Sequence, residues 1–279
     1  MKNKFQHNSI QSSYSKQQSY QNEDPSHSTK NPSFYSLKPQ RLSTPKDIST
    51  VLIFQSLIKE VNSTFYKTPK KIELTHILIK SRLNIITKYK RFSEKYHLSP
   101  NTFFHAVYIM DTLIARKTNL PLDKIGIGAI ILAVKFIDID GTTPTMYHFK
   151  DICENNRLTI KELINIEIEC IKKLDYVLTF PTPNSFIQIF LVNGIVFNID
   201  MKGNANSISS LIYQLPCQIL DSVMEESAFY YQFQPYYLAC ACIALSREIY
   251  GLNIWSYIFE KVFGLTFDMF ENVYAYVKE

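Results

Sequence analysis

The chain has 279 residues, 46% of them apolar, with seven glycines, twelve prolines and a formal charge of +5. That apolar content supplies a core for one or two domains, and so few turn-forming residues count against an all-β architecture. The charge does not point to nucleic acid: residues 1–45 hold six basic residues (Lys2, Lys4, Lys16, Lys30, Lys38, Arg41) against Glu23 and Asp24, which leaves +1 for the rest, whereas phosphate binding needs a basic surface.

Residues 1–45 are Ser, Gln, Asn, Lys and Pro with scattered Tyr and Phe. That composition cannot bury enough surface to offset the entropy of ordering, so a disordered tail is expected. The polar start MKNKFQHNSIQSS lacks the apolar block of a signal peptide, and the longest apolar run, Ile125 to Val134, is too short to span a bilayer. A soluble nuclear or cytosolic protein without membrane contact is expected. The five cysteines (Cys153, Cys170, Cys217, Cys240, Cys242) contain no CxxC pair, which reads as reduced core thiols.

Residues 47–65 carry Val51, Phe54, Leu57, Ile58 and Val61 at helical spacing, an amphipathic helix. A basic linker with Thr68-Pro69 follows, completing a segment 46–75. Residues 76–97 repeat at Ile79, Leu83, Ile86 and Tyr89. The next helix, 100–116, opens with Ser99 as cap and Pro100 in first position, its apolar face being Phe103, Val107, Met110 and Ile114. Residues 122–138 are apolar nearly all round, which predicts a helix buried mid-bundle, with Gly126, Gly128 and Ala129 allowing close approach. A short helix is expected near 147–154. Residues 159–175 begin with Thr159 and Glu162, a capping box.

After Pro181-Thr182-Pro183 a second set is predicted over 183–194, 205–226, 235–250, 254–262 and 267–278, with Pro216 bending the second helix. Residues 235–250 again form a small-residue, apolar helix. At an offset of 112 residues, Ala129, Ile131, Lys135 and Ile137 meet Ala241, Ile243, Arg247 and Ile249. The reading is an all-α chain with two tandem five-helix units, residues 76–180 and 181–279.

Four charges fall inside apolar stripes. Asp111 lies between Val107 and Ile114, Arg82 between Ile79 and Ile86, and Glu167 in the stripe Ile160, Ile164, Ile171, Leu174, while Lys135 ends the apolar run before Phe136. Charges are almost never buried unless paired. Two of each sign, one on each of four helices, predict pairing with one another or with a partner protein.

These residues and their surroundings resemble the cyclin box. The matching segments are Arg82 in SRLNII, Asp111 in HAVYIMDTLI, Lys135 in AIILAVKFID and Glu167 in INIEIECIKKLDYVL, followed by Leu174, Tyr176, Leu178, Pro181-Thr182 and Phe186. The resemblance covers 76–190 by motif and 191–278 by helix pattern. It implies two cyclin folds and a non-enzymatic regulatory subunit that binds and activates a cyclin-dependent serine/threonine kinase. Arg82 and Asp111 match the ion pair that ties the first two box helices together. Lys135 and Glu167 match residues that hydrogen-bond backbone groups beside the kinase C-helix, with Phe136, Ile171, Tyr176 and Leu178 as the apolar part of that interface. The resemblance departs at the substrate-docking groove, where Ser81 and Lys88 replace the family's Met and Trp.

B-type transcription-initiation factors also carry two cyclin folds, but they predict a zinc ribbon that residues 1–45, without cysteine, cannot supply. A scaffold without kinase activation is the other alternative, against which both Lys135 and Glu167 are retained. Dispersed histidines and no phosphate-cradling glycine loop count against an enzyme, and no cofactor, metal or nucleic acid is expected. Thr44-Pro45 and Thr68-Pro69-Lys70-Lys71 read as candidate phosphosites for the bound kinase.

Overall fold

The computed structural model describes residues 48–63, 76–138, 143–152, 158–197, 199, 210–226 and 232–279. Among them ten α-helices run in order: α1 (Ile48–Val61), α2 (His76–Lys95), α3 (Pro100–Ala115), α4 (Leu122–Ile137), α5 (Ile160–Lys173), α6 (Pro183–Asn193), α7 (Leu215–Glu226), α8 (Pro235–Ile249), α9 (Tyr257–Phe263) and α10 (Glu271–Lys278). Short 3-10 helices at His148–Ile152, Ser210–Tyr213 and Phe267–Met269 complete them.

The helices form two groups. In the first, α2, α3, α5 and the His148–Ile152 turn pack round α4; in the second, α6, α7 and α10 pack on α8. Both central helices are the small-residue apolar ones, because only such helices can be covered on all sides. Every residue of α4 from Ile125 to Val134 is buried. A Cβ on Gly128 would lie 2.3 Å from the Cys170 sulfur, so α5 approaches α4 where no side chain stands between them. On another side the Tyr89 hydroxyl donates to the Gly126 carbonyl at 2.5 Å.

Caps fix the helix starts. The Ser99 side chain accepts from the Asn101 amide with Pro100 at the first position, and Thr159 and Glu162 form a reciprocal capping box. Pro216 does not bend a long helix. It sits in the first turn of α7, which begins at Leu215, because a proline there removes no helical hydrogen bond. Residues 201–209 and the tail 1–47 lie outside the described residues.

α1 belongs with the second group. Its buried Phe54 ring lies 5.4, 5.6 and 4.7 Å from Phe186, Phe190 and Phe263, and the Thr50 hydroxyl donates to Asn193 Oδ1 at 3.0 Å. The two groups are joined by polar contacts. Lys90 on α2 lies 2.7 Å from both Asp221 and Glu225 on α7, and Asn184 on α6 donates to Asn101 on α3 at 2.5 Å.

Within the first group, Arg82 and Asp111 are both buried. Arg82 Nε and Nη2 donate to Asp111 Oδ1 and Oδ2, each at 2.8 Å. A two-bond fork of this kind holds α2 to α3 in one register. Leu83, expected on the same buried face, points outward instead; Ile85, Ile86, Tyr89 and Phe92 carry the packing. Removing one partner strands a charge in the core, so Arg82→Ala or Asp111→Ala alone should each cost about 3–5 kcal/mol. The double variant should cost clearly less than the sum of the two, as measured by urea denaturation in a double-mutant cycle.

Candidate functional site

The last turn of α4 carries Lys135 and Phe136 out of the core, directly after buried Val134. Lys135 Nζ lies 2.7 Å from both carboxylate oxygens of Glu167 on α5. Unlike Arg82–Asp111, this pair is open to solvent: the Lys135 side chain is 50% exposed and that of Glu167 17%.

Of the apolar residues expected to flank Glu167 in a buried stripe, Leu174 is buried and Ile171 half-buried, but Ile160 and Ile164 are at the surface. Ile160, Ile164 and also Ile168 are exposed, and the core side of α5 is Leu163, Ile166 and Cys170, continued by Leu174. α5 is apolar on two sides, so periodicity alone could not say which faced inward. The close approach at Gly128, against Ile166 and Cys170, decides it. The result is a set of exposed apolar residues beside the ion pair in the chain, Phe136 after Lys135 and Ile160, Ile164 and Ile168 on the helix of Glu167, with Tyr176 past the end of that helix, 67% exposed. Ile171 and Leu178 are half-buried and pack against the core.

Tyr176 is presented by an unusual helix end. The Asp175 amide donates to the Lys172 carbonyl at 3.1 Å and the Tyr176 amide to the Ile171 carbonyl at 3.0 Å, the bonding of a Schellman stop. Such a stop usually takes glycine at its left-handed position. Here Asp175 (φ 55°) and Tyr176 (φ 62°) are both left-handed, at a cost on the order of 1–2 kcal/mol each.

Against Phe136 lies His105, a residue that motif and spacing gave no reason to single out. Its ring stacks on Phe136 (5.4 Å, 16°) and lies 5.9 Å from Phe180. Burial pushes its pKa from 6.5 down to about 4, against a smaller opposing hydrogen bond with the Leu178 backbone. Its Nε2 meets no hydrogen-bond partner. A neutral imidazole therefore supports two of the expected interface residues at once, Phe136 and Leu178.

A family model described as cyclin, N-terminal domain matches residues 52–179. The chain is 26% identical over 183 residues to a cyclin-J-like protein of Mus musculus, covering 61% of this chain and 47% of that one. It is 27% identical over 137 residues to G2/mitotic-specific cyclin-1 of Antirrhinum majus, covering 46% and 28%. The chain thus spans about half or less of the length of these curated relatives. The X-ray structure of a viral cyclin from herpesvirus saimiri superposes with a TM-score of 0.61 at 16% identity, covering 81% of this chain and 95% of that one. The chain is a cyclin-family protein. The all-helical architecture read from its sequence is the cyclin fold.

The described cysteines of this cyclin-family chain are core residues. Cys170, Cys217, Cys240 and Cys242 are free and buried, and burial pushes Cys170 and Cys217 up to about 12, where a thiol is unreactive. Among the described residues no cluster of His, Cys, Asp or Glu could hold a metal ion, and no helix is long and apolar enough to cross a membrane. Thr44, Thr68 and Cys153 lie outside the described residues.

The buried His105 makes stability depend on pH. The folded chain keeps the ring neutral down to about pH 4, whereas the unfolded chain protonates it near 6.5. Between those values the unfolded state binds the extra proton, so stability falls as pH falls from 6.5 to about 4 and this contribution is flat below. The loss should be about 3 kcal/mol. Urea denaturation at pH 7 and pH 4.5 should show a smaller difference for His105→Phe than for the unaltered chain.

Proposed function

We propose that this chain is a regulatory subunit that binds a cyclin-dependent serine/threonine kinase and switches it on. The docking surface is the face built by Lys135, Glu167 and the apolar residues around them. The observation that carries this reading is the solvent-accessible Lys135–Glu167 pair on a cyclin fold, flanked along its two helices by the exposed apolar residues Phe136, Ile160, Ile164 and Ile168. Apolar surface of this kind, rimmed by polar groups, is what a protein interface uses. The fold does not need it, since the core side of α5 is filled by other residues.

In the free chain the two charges neutralise each other. An ion pair this open to water is worth little, so a partner can part it cheaply. The ammonium is then free to donate to kinase carbonyls and the carboxylate to accept from kinase amides. Around them Phe136, Ile171, Tyr176 and Leu178 cover the apolar side of the kinase C-helix. Binding prefers the kinase conformation with that helix turned inward, which completes the Lys–Glu pair positioning the ATP phosphates. The chain shifts a population and performs no chemistry. The mitotic names among the relatives support a role in the division cycle.

Co-purification of the tagged chain followed by mass spectrometry should identify the kinase, and adding the chain to that kinase should raise its activity. Lys135→Ala and Glu167→Ala should each weaken binding by about 2–5 kcal/mol while the free variants keep their thermal stability. Ile164→Asp should also weaken it without unfolding the chain. Unchanged affinity in all three would remove this face from the interface.

A further inference from the structure

The docking face depends on a helix end that the chain would not hold unaided, and one side chain outside the face restrains it. Arg116 caps α3. Its Nη1 donates to the Lys173 carbonyl at 2.5 Å and lies 2.7 Å from Asp175 Oδ2. It therefore grips the last turn of α5 on both sides of Leu174, where the chain enters the two left-handed residues Asp175 and Tyr176. Two adjacent non-glycine residues in that region are strained, so a side-chain restraint beyond the backbone bonds bears on how the turn holds Tyr176.

We infer that Arg116 is a positioning residue for the partner-docking face: by holding the α5 carbonyl end and the Asp175 carboxylate together, it fixes the left-handed turn that presents Tyr176. This rests on the kinase reading above. Arg116 is not one of the residues of the proposed face. Its carboxylate partner is 79% exposed, so the contact contributes little to global stability. What it supplies is local order, and a pre-organised binding surface loses less freedom on association.

The test uses the full chain. In free Arg116→Leu, hydrogen exchange of the Tyr176 amide, which is bonded to Ile171, should quicken by about tenfold while the amides of α4 keep their rates. Affinity for a panel of purified cyclin-dependent kinases should fall by about fivefold or more. Adding Asp175→Gly to Arg116→Leu should restore both readouts, because glycine takes the left-handed conformation at no steric cost. A merely structural role would not give this rescue, and would quicken α4 exchange as well. Unchanged exchange at Tyr176, general acceleration through α4, or failure of Asp175→Gly to rescue would each overturn the proposal. If the unaltered chain bound no kinase in the panel, the kinase reading would fall alone, and the exchange comparison would still decide whether Arg116 holds the turn.

Discussion

The approach of α5 to α4 at Gly128 sets the orientation of everything that follows it. The Cys170 sulfur occupies the space a Cβ would need, so α5 can lie down only with Leu163, Ile166 and Cys170 inward. Glu167, one position past Ile166, is then turned to the rim, next to the end of α4. There it meets Lys135, which stands where α4 leaves the core. Ile160, Ile164 and Ile168 of α5 are left outside as a consequence. A larger residue at 128 would push the helices apart, since packed interiors do not absorb an added side chain without strain. The Lys135–Glu167 pair is thus a product of core packing as much as of its own charges.

The internal repeat shows how much this depends on surroundings. Lys135 and Arg247 fall at equivalent places in the two small-residue helices, yet only Lys135 reaches solvent. Arg247 is fully buried. It donates from Nε to the Asn253 carbonyl at 2.9 Å and from Nη1 to the Ile195 carbonyl at 2.5 Å. Its guanidinium lies 5.9 and 5.5 Å from the Phe197 and Phe259 rings. A planar donor fork suits carbonyl capping between aromatic faces in a way a lysine ammonium does not. The second copy has spent its cation on internal structure, whereas the first presents its lysine to solvent.

Much of this was legible in the sequence. Apolar period, caps and proline breaks located the helices, and the wholly apolar runs identified the two central ones. The pairing of Arg82 with Asp111 was readable because two opposite charges on core faces have few alternatives. What periodicity could not supply was rotation. In α5 two apolar stripes compete, and the sequence does not say that Ile160, Ile164 and Ile168 lose to Leu163, Ile166 and Cys170. Leu83 misled for the same reason: Ile86 and Tyr89 of the predicted stripe are buried, but Ile85 packs inward where Leu83 points out. His105 carried no signal because its role comes from stacking on residues 31 and 75 positions away (Phe136 and Phe180). Arg116 and Asp175 were invisible likewise: nothing local marks an arginine that caps another helix, or an aspartate standing where glycine is usual.

The face is therefore better ordered than its exposure suggests. Phe136 is backed by the neutral His105 ring, and Leu178 by the hydrogen bond to the same imidazole. Asp138, just past α4, accepts from the Ser99 amide at 3.2 Å and from the Thr102 hydroxyl, so the end of α4 is tied to the start of α3. Each support comes from α3, the helix that Arg82–Asp111 fixes against α2. Binding surfaces that change little on association lose little freedom. The contacts that could be broken by a partner are confined to the Lys135–Glu167 bond, which costs little to open in water. A rigid apolar platform around one cheaply opened ion pair lets affinity come from burying the platform, while the two charges set orientation and reject a partner lacking complementary groups.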